Sequence, residues 1–90
     1  MKNYVYMLRC SDNSLYTGWT NNLEKRIKNH NDGKGAKYTR SRRPCKLVFK
    51  FEVESLSDAL KLESKIKKLK KKDKEKLVIT KNLDILKGLG

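Results

Sequence analysis

Apolar positions along the first twenty residues alternate with the period of a strand. In "NYVYMLRC" (3–10) both faces are apolar, with Tyr4, Tyr6, Leu8 and Cys10 on one side and Val5 and Met7 on the other. A strand of that kind is expected to be covered on both sides. "SDNS" (11–14) has turn chemistry and "LYTGW" (15–19) returns as a second strand, so residues 3–19 predict a hairpin. The turn decides which side chains share a face. A two-residue turn at Asp12–Asn13 pairs Cys10 with Leu15 and separates Tyr6 from Tyr16. A three-residue loop with a left-handed Asn13 pairs Cys10 with Ser14 and brings both tyrosines to one face. Asparagine tolerates that conformation better than most residues, which favours the second form.

The pattern then becomes helical. Asn21 is a good N-cap, with Glu24 completing a capping-box-like signal. The helix is expected to run to His30 or Asn31 and to stop at Gly33. "GKGAKYTRSRRP" (33–44) predicts a basic loop ended by Pro44. "KLVFKFEVE" (46–54) alternates as a third strand, with Leu47, Phe49, Phe51 and Val53 inward and Lys50 and Glu52 outward. Ser55 or Ser57 caps a helix over 57–69, and a shorter helix over 70–80 has Asp73 near its start. In the tail, Leu83, Ile85 and Leu86 are available to pack, and the glycine-flanked end is expected to fray. The order β-β-α-β-α-α predicts an α+β domain over residues 1–82, with a small, largely antiparallel sheet flanked by helices and a partly packed tail at 83–90.

Several polar residues interrupt these apolar faces. Helical residues turn by about 100° each, so Leu23 and Ile27 define the buried stripe of the first helix. Arg26 and His30 fall at its margin, while Lys25 and Lys28 point away. On the later helix Leu56, Ala59, Leu60, Ile66 and Leu69 share one arc, and Glu63 projects inside it. A carboxylate there is costly unless it is paired or bound to a cation. A salt bridge to a base such as Arg26 and a metal ligand both meet that need.

Composition adds a partner. The chain of 90 residues carries 23 Lys+Arg against 10 Asp+Glu, a net charge of +13 that favours a polyanion, nucleic acid before an acidic membrane surface. The loop cations Lys34, Lys37, Arg40, Arg42 and Arg43, interleaved with hydroxyls and the stacking face of Tyr38, suit sugar-phosphate contacts better than base reading. Cys10 and Cys45 lack a CxxC spacing, and with a single histidine they make a poor zinc set. With no signal peptide or long apolar run, the chain is expected to be cytoplasmic with reduced thiols and no membrane association. Oligomeric state leaves no mark on the sequence.

Two phenols, a guanidinium, an imidazole and a lone carboxylate thus gather at one end of a sheet beside a cationic loop. Phosphodiester hydrolysis needs such a set: a base for water, a cation for the phosphoryl oxygens and a carboxylate for a divalent metal.

These residues resemble the GIY-YIG nuclease superfamily. "YVY" (4–6) stands in the GIY position and "YTG" (16–18) in the YIG position, with Tyr4 for the first glycine and Thr17 for isoleucine. Asn22, Arg26 and His30 follow at the family's helix spacing, Glu63 falls in its acidic helix, and the 33–44 loop resembles that of the small stand-alone bacterial branch. The resemblance spans roughly residues 3–80. It implies a three-stranded antiparallel sheet and one divalent metal, magnesium or alternatively manganese, held by Glu63. It also implies Tyr16 as general base or water-orienting group with Tyr6 beside it, Arg26 stabilising the phosphoryl transition state, and His30 supporting proton transfer. A tyrosine serves as base only if neighbouring cations lower its pKa from about 10. The expected function is a DNA endonuclease, with branched or damaged DNA of repair or recombination as one substrate class. A nucleic-acid-binding module with the same fold and little or no turnover is the alternative, and a basic protein docking on an acidic partner a more distant third.

Overall fold

The strand with two apolar faces is the central one. In the computed structural model, which describes residues 2–87, β1 (Asn3–Arg9) lies between β2 (Leu15–Thr20) and β3 (Lys46–Val53), antiparallel to both. Val5, Tyr6, Met7 and Leu8 are fully buried, as a strand with two neighbours and two covered faces requires. The hairpin closes through Asn13 at φ 69°, and Cys10 N–H donates to Ser14 O at 2.9 Å. Leu8 therefore lies opposite Tyr16 and Tyr6 opposite Gly18. Both tyrosines share a face, as the three-residue loop predicts.

Each face of the sheet carries its own core. Val5, Met7 and Phe49 pack with Ala59, Ile66, Leu69, Leu77 and Leu86, drawn from α3 (Leu56–Lys67), the turn after it, α4 (Lys71–Thr80) and a terminal 3₁₀ turn (Leu83–Leu86). On the other face Tyr6, Leu8, Cys10 and Cys45 pack with Tyr16, Leu47 and the stripe Leu23 and Ile27 of α1 (Leu23–Asn31). A fully buried aliphatic side chain contributes about 1.5–3 kcal/mol, so both layers are needed in a chain this small. The thiols of Cys10 and Cys45 are free, buried and 3.7 Å apart.

Several expectations need correction. The N-cap of α1 is Asn22, whose side chain accepts from Lys25 N–H at 3.2 Å; it is not Asn21. Ser55 caps α3, which begins at Leu56 and ends at Lys67, short of residue 69. The segment expected as a loop holds one helical turn, α2 (Lys37–Arg40). In β3, Met7 pairs with Phe49 but Leu8 with Leu47, so a bulge at Val48 sends Leu47 and Phe49 into opposite cores. Phe51 is exposed at the sheet edge. On α3, Leu56 and Leu60 are exposed, while Leu62 packs against the core. The tail packs through Leu83, Ile85 and Leu86; its glycine-flanked end lies outside the described residues. Among the described residues no helix is long and apolar enough to cross a membrane.

Candidate active site

Tyr6, on the central strand, meets His30 from α1. The Tyr6 hydroxyl lies 2.8 Å from His30 Nε2, and His30 Nδ1 lies 2.7 Å from Thr39 Oγ1 on α2. The Thr39 hydroxyl donates to Ala36 O at 3.0 Å. Its single proton is then committed, so Thr39 must accept from Nδ1–H, which leaves Nε2 as acceptor for the Tyr6 hydroxyl. Arg26 Nε–H donates to the Tyr6 oxygen at 3.3 Å. Four hydrogen bonds thus run in one direction, from Arg26 through Tyr6, His30 and Thr39 to the Ala36 carbonyl.

This geometry makes His30 a fully buried member of the core, not a marginal one. Sequence spacing gives its direction on α1 but not what covers it, which is α2 and Gly35. A Cβ on Gly35 would stand 2.4 Å from His30 Nδ1. Gly18 is equally constrained: a Cβ there would lie 2.7 Å from the Tyr6 oxygen and 3.1 Å from the Tyr16 ring. The missing side chain lets Tyr6 lie across β2.

Burial sets the charges. Burial first, and the Arg26 cation second, lower the His30 pKa to about 4. Burial also raises Tyr6 to about 12, outweighing the Arg26 hydrogen bond and charge that act the other way. The lowered tyrosine pKa that a base needs is therefore not found at Tyr6. Both groups are neutral at pH 7. Arg26, hydrogen-bonded to Tyr6 and close to Tyr16, is held above its ordinary pKa. Tyr16 is only partly buried and sits edge-on to His30 with ring centroids 5.2 Å apart.

Glu63 approaches from α3. Its side chain is 17% exposed, and it pairs with Lys67 at 3.3 Å rather than with Arg26. Its charge is close enough to Tyr6 to help raise that phenol's pKa. Tyr6, Tyr16, Arg26 and His30 thus gather from β1, β2 and α1, and Glu63, from α3, lies near enough to act electrostatically on Tyr6.

The loop cations divide. Arg42 stacks its guanidinium 3.9 Å over the Tyr38 ring and donates to Asp12 Oδ2 at 3.0 Å and Tyr38 O at 2.9 Å. Tyr38 also stacks on Tyr16 at 6.0 Å, so its stacking face already carries two internal partners. Arg43 donates to Arg40 O and Asn31 O, tying the ends of α2 and α1 together. Lys34, Lys37 and Arg40 are exposed. Thr39, Gly35 and Asp12 are site-supporting residues that sequence reasoning missed. The hydroxyls of "KYTRSRRP" were the available signal, but Thr39 serves the buried imidazole, not a sugar-phosphate chain.

A family model described as the GIY-YIG catalytic domain matches residues 2–77. The chain belongs to the GIY-YIG family. This GIY-YIG domain is 60% identical over 78 residues to a UPF0213 protein of Syntrophus aciditrophicus, covering 86% of this chain and 90% of that one. It is 57% identical over 81 residues to a UPF0213 protein of Clostridium perfringens, covering 90% and 87%. Its fold matches the solution NMR structure of a UPF0213 protein from Bacillus halodurans with a TM-score of 0.60 at 47% identity, covering 90% of this chain and 86% of that one. An E. faecalis protein solved by NMR matches with a TM-score of 0.63 at 42% identity, covering 93% and 90%. Membership of the GIY-YIG family implies a nuclease acting on nucleic acid.

The family's metal can be weighed against these side chains. Among the described residues no three His, Cys, Asp or Glu side chains cluster to hold an ion. Magnesium, however, is commonly held by one or two carboxylates and completed by water and substrate phosphate. Glu63, mostly buried and facing a cation already, fits that role as the single protein ligand. Lys67 must then yield its place.

Proposed function

We propose that this GIY-YIG domain is a divalent-metal-dependent DNA endonuclease. What supports this reading is the cluster of Tyr6, Tyr16 and Arg26, with the Glu63 carboxylate of α3 near enough to act electrostatically on Tyr6. Water attacks phosphorus, a new P–O bond forms, and the P–O bond to the leaving deoxyribose oxygen breaks, that oxygen taking up a proton from solvent. Arg26 faces charge accumulating on the non-bridging oxygens. Glu63 would hold the metal, which supplies Lewis acidity at the phosphate. Tyr16, the less buried phenol, orients the attacking water, or as the phenolate accepts its proton.

Tyr6 and His30 act at one remove. A neutral Tyr6 that donates to His30 fixes the oxygen that accepts from Arg26, and so aims the guanidinium. His30 is a positioning residue, since neither ring nitrogen has a free proton site. Lys34, Lys37 and Arg40 draw the phosphate backbone toward the site.

One observation favours a second reading, a nucleic-acid-binding module with little turnover. Lys67 already pairs with Glu63 at 3.3 Å. A cleavage assay on duplex, single-stranded and branched DNA, with and without Mg²⁺, separates the two. The nuclease reading expects metal-dependent products, at least roughly 100-fold fewer with Glu63→Ala or Arg26→Ala. Cleavage unaffected by either substitution overturns the assigned site. Binding without cleavage by any form supports the module.

A further inference from the structure

Beside Tyr16 a groove of about 290 Å³ is lined by Leu15, Tyr16, Thr17, Tyr38, Lys67 and Lys74. Lys74 is the unusual member. It is half-buried, yet its ammonium makes no hydrogen bond or ion pair with any described residue, unlike Lys71, which pairs with Glu75 at 2.9 Å. The groove offers Lys74 no carboxylate. Its other charged residue is Lys67, also a cation and joined to Glu63 along its own helix. Two ammonium groups lining one depression, one of them without an acceptor, leave a local excess of positive charge that an anion would relieve.

The surroundings narrow the anion. Tyr16 opens onto the groove from the candidate active site, and Tyr38 borders it from the cationic loop. An occupant of the groove would therefore lie beside Tyr16, and so next to the candidate active site. The segment Lys65–Lys76 extends the positive surface along α3 and α4, broken only by Asp73 and Glu75. A single free phosphate would not need such a track. The apolar wall given by Leu15 and the tyrosine rings suits the sugar of a nucleotide unit.

We infer that this groove binds the substrate strand at a phosphate flanking the one cleaved, with Lys74 as its chief cationic contact and Lys67 as the second. This rests on the nuclease reading in taking a nucleic-acid strand as occupant, but it assigns residues outside that site. It places the strand between two cationic walls, the 34–43 loop on one side and the α3–α4 lysines on the other. It also gives Lys67 somewhere to go when Glu63 takes a metal.

The test is fluorescence anisotropy of the full chain with a labelled branched DNA, without divalent metal, over a series of salt concentrations. Lys74→Ala is expected to weaken binding roughly 5- to 10-fold near 0.1 M salt and to lower the salt slope by about one ion. Lys74→Arg should retain the slope. Lys61→Ala, which removes an exposed α3 lysine outside this groove, should leave both nearly unchanged. Lys74→Ala should melt at or above the wild-type temperature, since it deletes an unpaired half-buried charge. A Lys74→Ala protein that binds like Lys61→Ala overturns the inference while leaving the nuclease reading intact. A wild-type protein that fails to bind the DNA overturns both.

Discussion

The directed chain of hydrogen bonds makes His30→Gln a quantitative test. Glutamine keeps an acceptor for the Tyr6 hydroxyl but cannot titrate. In the wild type, burial lowers the imidazole pKa to about 4, against about 6.5 in the unfolded chain. Between those values the unfolded state binds the extra proton. Stability is therefore fully present above pH 6.5 and is lost as pH falls toward 4. From pH 7.5 to 4.5 the loss from this one group is about 2.5 kcal/mol, each tenfold difference in proton affinity between the two states counting for about 1.4 kcal/mol. With an m-value of about 1 kcal/mol/M, that is a fall of roughly 2.5 M in the urea midpoint. At pH 7.5 His30→Gln should cost about 1–2 kcal/mol for the weakened Thr39 contact. At pH 4.5 it should equal or exceed the wild type, because the carboxylates titrate alike in both and cancel. The assay is urea unfolding followed by circular dichroism at half-unit pH steps. Parallel pH curves for the two proteins would refute the buried neutral imidazole. The chain has one histidine, so an imidazole ¹⁵N spectrum should show a single ring protonated at Nδ1 and unchanged from pH 5.5 to 8.

Three other outcomes follow from the same packing. Gly18→Ala forces the Tyr6 ring from its place and should cost about 1–3 kcal/mol by thermal unfolding, with the Tyr6–His30 bond lost in the imidazole spectrum; an unchanged melting temperature and spectrum would contradict the close contact. Thr17 Oγ1 is buried with no hydrogen-bond partner among the described residues, so Thr17→Val should stabilise the fold by about 1 kcal/mol, and a clear loss of stability would show that the hydroxyl has a partner after all. Hydrogen bonds from Arg9 first and Lys71 second hold Glu75 down to about 2. Its contribution is present above pH 4.5 and is lost as pH falls toward 2; Glu75→Gln should remove that part of the acid limb and cost about 1 kcal/mol at pH 7, which acid titration of the variant checks.

Strand and helix order was legible because periodicity is local. The burial of β1 on both faces followed from its two apolar sides, and the shared face of Tyr6 and Tyr16 from one asparagine in the turn; the place of β1 between β2 and β3 was not legible in the sequence. The bulge at Val48 was not legible, because it is set by how β3 meets β1, and alternation within β3 gives no sign of it. The cap expected at Asn21 falls one residue later, because it is the Asn22 side chain that reaches an N–H of the first turn, a one-residue boundary that periodicity does not fix. His30 looked marginal because a helical wheel shows direction without showing that α2 and Gly35 close over it. In the loop, charge identified a cationic segment but could not separate Arg42 and Arg43, spent on internal contacts, from Lys34, Lys37 and Arg40. Glu63 was rightly marked as needing a cation; its neighbour one turn along α3, Lys67, supplies one where Arg26 was the base considered.

The short turn between β1 and β2 has a mechanical consequence. Arg42 reaches it through Asp12, and Ser11 N–H donates to Arg42 O at 2.9 Å. From the other side, Lys71 donates to Asn13 O at 3.0 Å and Arg9 grips Glu75. The two basic arms are thus moored to one pivot, like the jaws of a caliper. Lengthening that turn by a residue would alter the gauge of the molecule, the width of what it admits, while leaving the reacting groups themselves untouched.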